Sequence, residues 1–108
     1  MNQVVKVVHY PDVSDSNVAT QFYREIEDIV KAGASIVLLD LKNLTSITGS
    51  GLMALVEVFK LIRSAGCKVF ICSLNDQVRI LFELTGLDRV LETFSSLDEF
   101  YSSTLQKK

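Results

Sequence analysis

No run of apolar residues in this chain is long enough to cross a bilayer: none approaches the ~20 residues a helical span requires, so direct membrane insertion is excluded. No secretory leader is expected either. Met1-Asn2-Gln3 carries no charged n-region followed by a long apolar stretch, and a soluble, cytoplasmic protein is expected. There is no basic block beyond Lys107-Lys108, and 11 basic against 13 acidic residues leave a formal net charge of −2. Without a clustered basic face, nucleic-acid binding is excluded. His9 is the single histidine. It falls in a strand-like stretch with no Ser or Asp at interpretable spacing, and no Ser-His-Asp or Cys-His arrangement emerges. Neither Cys67 nor Cys72 has a close-spaced ligand cluster, so no metal site is expected. Both fall on one extended stretch, ~17 Å apart on opposite faces. That separation excludes a bridge between them and leaves two buried, reduced thiols. These gaps argue against an enzyme and against a bound cofactor.

What the chain does have is a regular alternation of strands and helices. Hydrophobic residues make up 48% of its 108 positions, enough for one domain with one core. Val4 to Tyr10 is β-branched and reads as a first strand. A helix follows, with Ser16 or Asn17 at its cap and Val18, Phe22, Ile26, Ile29 and Val30 on one face. Gly33 stops it. Ile36 to Leu39, closed by Asp40, is apolar on both faces and reads as a buried strand. Leu52, Leu55, Val56, Phe59 and Ile62 recur at helical spacing, so a second helix runs to about Ser64, before Gly66. Lys68 to Cys72 is a third strand. Asn75 or Ser73 caps a helix holding Val78, Leu81, Phe82 and Leu84 inward, with Thr85-Gly86 at its end. Arg89 to Phe94 reads as a short last strand, and Ser96 opens a helix with Leu97, Phe100 and Tyr101. The expectation is a single α/β domain over residues 1–108, with a mostly parallel, mixed sheet of about four to five strands and about four helices.

The chain is organised around Thr45-Ser46-Ile47-Thr48-Gly49-Ser50-Gly51, between the second strand and second helix. Sites in open α/β sheets cluster beyond the carboxyl ends of strands. This turn lies there, with Asp15 and Ser73-Leu74-Asn75 expected near it. Two glycines and four hydroxyl residues stand where unpaired backbone N–H groups gather at a helix start, a place suited to a negative group. The plain reading is a sharp turn with Thr48 or Ser50 as helix cap. The functional reading adds a phosphate of about −1.5 to −2 charges to a hydroxyl. Gly49-Ser50-Gly51-Leu52-Met53-Ala54 formally matches the G-x-G-x-x-A dinucleotide pattern, but that pattern follows its strand directly, and here Leu41 to Thr48 intervene. Asp15 is either a turn residue bonding its own backbone or a carboxylate that positions a hydroxyl or repels a phosphate. Met53, Val58 and Leu61 lie off the strict apolar stripe. Either the helix is broadly buried, or Met53 belongs to an exposed apolar patch beside the turn, which marks a partner surface.

The runs IVLLDLKNLTSITGSGL and GCKVFICSLNDQVRILFELTGLDRVLETF, from Ile36 to Phe94, resemble the STAS domain family of anti-sigma factor antagonists. The resemblance covers nearly the whole chain. It implies a non-enzymatic switch that binds an anti-sigma factor, itself a serine kinase, and so releases a sigma factor. Phosphorylation on the turn breaks the complex, and a PP2C-type phosphatase resets it. The family's turn reads Asp-Ser-Ser-Gly-Leu, with the first serine as acceptor. Here the run is Thr48-Gly49-Ser50-Gly51-Leu52, so Gly49 occupies the acceptor position. The resemblance then implies Ser50, or else Thr48, as acceptor, with Asp15, Gly49, Gly51 and Met53 at the partner-binding surface. It also allows a member that carries no phosphate, such as a scaffold or a regulatory subunit of a membrane transport system.

Overall fold

The computed structural model describes residues 4–11, 16–44 and 47–105. Four strands form one sheet in the order β1-β2-β3-β4: β1 Val5–His9, β2 Ile36–Asp40, β3 Lys68–Cys72 and β4 Glu92–Phe94. Every described pairing is parallel, with Val7 opposite Leu38, Leu38 opposite Phe70, and Cys72 opposite Phe94. A parallel sheet needs crossovers, and helices α1 (Ser16–Lys31), α2 (Gly49–Ser64) and α3 (Asp76–Thr85) supply them. All five residues of β2 are buried, which explains their unbroken apolar run: the strand has neighbours on both edges and cover on both faces.

The two faces carry different cores. On one, Val37 and Leu39 pack with Phe22 and Ile26 of α1, Leu55, Val58, Phe59 and Ile62 of α2, and Val78 and Phe82 of α3. On the other, Ile36, Leu38 and Cys72 pack under Phe100, with Val5, Val7, Phe70 and Phe94 at the margin. Helix α5 (Leu97–Phe100) and a π-helical turn, Tyr101–Leu105, supply that cover. Phe100 is its pin, with its ring 5.4 Å from Phe70, 5.3 Å from Phe94 and 5.3 Å from Tyr101. The cysteines separate as expected: Cys67 belongs to the first core, Cys72 to the second, and both are free.

Several expectations need correction. Helix α1 already includes Ser16, so Ser16 and Asn17 are in its first turn and not at its cap. Leu84 is 78% exposed. Phe82 already points inward, and two positions further on a helix turns to the opposite side. The last strand is only three residues long. Gly86, at φ 80 in the left-handed region, ends α3 and lets the chain start a separate helical turn, α4 (Leu87–Val90), inside the stretch read as strand. On α2, Val58 is 2% exposed and Leu61 half-buried. Flanking helices widen the buried stripe of this central helix beyond its strict period.

Candidate functional site

The turn before α2 leaves β2 at the carboxyl edge of the sheet. Asp40, the last residue of β2, starts it. Its carboxylate accepts a hydrogen bond from the Lys42 N–H at 3.0 Å, and the Leu44 N–H then donates to the Leu41 carbonyl at 3.0 Å. Leu41 and Leu44 are both buried, so the loop is anchored in the first core before it emerges. At its far end Thr48 is the N-cap of α2, with extended backbone (φ −86, ψ 171). The Thr48 hydroxyl oxygen accepts from the Gly51 N–H at 3.0 Å, and its carbonyl accepts from the Leu52 N–H at 2.8 Å. The side chain thereby satisfies the Gly51 N–H, which lacks a partner within the helix, while the Leu52 bond is the first of the regular helical ladder.

Ser50 occupies a different position. It is exposed, and its hydroxyl lies 3.2 Å from that of Thr48, within hydrogen-bond range. It caps nothing. Of the two candidate acceptors, Thr48 is structural and Ser50 is free to change. Gly49 is exposed as well, whereas Gly51 is buried against the core. Met53, one turn into the helix, is 60% exposed. The structure thus brings Thr48, Gly49, Ser50, Gly51 and Met53 together on one helix start, with an exposed apolar side chain beside exposed hydroxyls. Asp15 lies outside the described residues. The first turn of α2 holds no acidic side chain, so the positive end of the helix is uncompensated by its own residues.

One pair at this edge was not anticipated, His9 with Asp40, whereas Asn75 was expected as a cap and near the turn, and only its bond to Leu44 is new. The Asp40 side chain is 2% exposed and pairs with His9 Nδ1 at 3.2 Å, although the imidazole is 60% exposed. Strand register places His9 directly opposite Asp40. By alternation the pair sits on the face covered by α5, away from α2. Asn75 is the N-cap of α3, accepting from the Val78 N–H at 2.8 Å, and its side-chain amide also donates to the Leu44 carbonyl at 3.1 Å. Among the described residues no three His, Cys, Asp or Glu side chains converge in a way that would hold a metal. No described helix is long and apolar enough to cross a membrane. The Cys72 thiol is pushed up by burial and by the charge of Asp40, partly offset by a hydrogen bond with Ser73, which makes it a poor nucleophile.

Residues 2–100 match the family model described as the STAS domain. The chain belongs to the STAS domain family. None of the curated proteins matches it. Among solved structures it is similar to the STAS domain of a SulP transporter from Vibrio cholerae, at 19% identity and a TM-score of 0.82, covering 97% of this chain and 84% of that one. An anti-sigma factor antagonist from Mycobacterium paratuberculosis is similar at 19% identity and a TM-score of 0.76, with 98% and 90% covered. The anti-sigma factor antagonist SpoIIAA of Bacillus, in its unphosphorylated form, is similar at 11% identity and a TM-score of 0.74, with 99% and 94% covered. At these identities the likeness shows a common fold and nothing finer.

In this STAS domain the glycine at position 49 is not demanded by space. A Cβ built there meets nothing within 4 Å. A serine would fit, so its absence is a property of this sequence and not a constraint of the fold.

Proposed function

We propose that this STAS domain is an anti-sigma factor antagonist: a regulatory protein that acts by docking, not by turnover. It grips an anti-sigma factor that is also a serine kinase, through the start of α2, and phosphorylation of Ser50 ends the contact. A PP2C-type phosphatase would restore the free hydroxyl. The observation carrying this reading is the exposed Ser50 hydroxyl, held at the second residue of a helix whose cap is supplied by its neighbour Thr48. A phosphate can be added there without removing the cap. The helix N-terminus stabilises the added charge by ~0.3–1 kcal/mol at an exposed site, so the fold tolerates it. A partner surface closed over Met53 and carrying carboxylates near the turn would not.

The test is to incubate the purified protein with candidate cognate kinases and map the modified residue. Label on Ser50, together with partner binding weakened at least about tenfold by Met53→Glu in a correctly folded protein, supports the proposal. Binding that is unchanged by Met53→Glu removes the docking face. A second reading, a regulatory STAS unit of a membrane transport system, draws on the likeness to the SulP transporter domain. It requires no phosphate, and complete absence of phosphate from native protein under every growth condition favours it.

A further inference from the structure

We propose that Asn75 is a positioning residue for the Ser50 turn: a strut by which α3 sets where that turn stands. The inference rests on the reading of Ser50 as the regulated residue and adds how its presentation is held. Asn75 is 31 residues from Leu44 in sequence, yet its Nδ2 donates to the Leu44 carbonyl at 3.1 Å. At the same time its Oδ1 accepts from the Val78 N–H at 2.8 Å, and its carbonyl accepts from the Arg79 N–H at 2.9 Å. Both ends of one amide are therefore engaged, one in starting α3 and one in holding the loop that leads to Ser50. Among the good capping residues Asn carries its acceptor and its donor on two different atoms; an ionised Asp has acceptors alone, and a serine hydroxyl has a single oxygen for both roles.

Two further observations agree. On the other side of Thr45-Ser46, Ile47 lines a shallow groove with Gln77, Ile80, Leu81 and Leu84 of α3, so the loop meets α3 both before and after that pair. Two residues before Asn75, Ser73 has φ 66, the single positive φ among described non-glycine residues. That left-handed step follows β3 directly and redirects the chain so that Asn75 reaches back toward Leu44. Backbone strain of this kind persists only where the surrounding structure holds it.

The experiment compares the full chain with Asn75→Asp and Asn75→Ser by amide hydrogen exchange. The Gly51 and Leu52 amides, bonded to Thr48, report on the turn, and the Val78 and Arg79 amides report on α3. The strut predicts that in Asn75→Asp the turn amides exchange about fivefold faster, the effect of one lost net hydrogen bond, while α3 keeps its protection. If Asn75 only caps α3, the aspartate variant matches wild type in both places, and the proposal is overturned. Equal acceleration in turn and helix, seen in both variants, overturns it as well. A second arm measures phosphoryl transfer to Ser50, where a displaced acceptor lowers kcat at unchanged KM. Should no kinase label the wild-type protein, the regulatory reading of Ser50 falls, and the exchange data still decide whether the strut exists.

Discussion

The division of labour between Thr48 and Ser50 gives the sharpest prediction. Thr48→Ala removes the hydroxyl that accepts from the Gly51 N–H. Loss of an N-cap side chain costs about 1 kcal/mol, within a range of roughly 0.5–2. For a domain of this size that lowers Tm by about 4–8 °C. Thr48→Ser keeps the acceptor and is expected to hold Tm within about 2 °C of wild type. Ser50→Ala loses only an exposed contact between two hydroxyls. Surface changes of this kind stay within about 0.5 kcal/mol, and alanine's better helix propensity offsets part of even that. Thermal melts of the three variants, followed by far-UV circular dichroism, read the differences directly. Phosphate mapping completes the comparison, since Thr48→Ala should still be labelled at position 50 and Ser50→Ala should not. The reasoning is refuted if Ser50→Ala destabilises as much as Thr48→Ala, because Ser50 would then be part of the cap and not free for modification.

Gly49→Ser should fold and gain about 0.5 kcal/mol from helix propensity, because a Cβ there meets nothing within 4 Å. It should also add a second site of kinase labelling; a melt several degrees below wild type would contradict the open space. Ser73→Gly relieves a left-handed residue at φ 66 and should stabilise the protein by about 1 kcal/mol in denaturant melts, less some added freedom of the unfolded chain. An unchanged or lower midpoint would show that the Ser73 side chain offsets its strain. Burial holds Tyr10 neutral, its pKa raised from 10.0 to about 12. Its contribution to stability is thus complete below pH 10 and is lost as pH rises toward 12, since the unfolded chain gives up the proton first. Spectrophotometric titration of the folded protein against Tyr10→Phe should assign to Tyr10 a phenol that ionises late, toward 12; a Tyr10 phenol ionising near 10 would refute the burial argument.

Much of this protein was legible from local pattern. An unbroken apolar run at Ile36–Leu39 names a strand covered on both faces, and glycine and capping residues punctuate the helices, because such signals depend only on neighbours within a few positions. The location of the Ser50 turn followed from the same pattern, since strand-to-helix turns of a parallel sheet collect at its carboxyl edge. The strand reading of Arg89–Phe94 was less reliable: a short stretch does not distinguish a helical turn from a strand, and after Gly86 its first two residues belong to α4 while Glu92–Phe94 forms β4.

Tertiary structure decided everything that depends on residues far apart in the chain. The ring of Phe100 closes the second face, His9 meets Asp40 through strand register, and the Asn75 amide reaches Leu44 across 31 positions. It also separated Thr48, whose hydroxyl is committed to a backbone N–H, from Ser50, whose hydroxyl is not. Both are hydroxyl residues beside a glycine in sequence. Only the direction of the chain at the helix start determines which one faces the Gly51 amide, and that direction is set by where the sheet and α3 hold the loop.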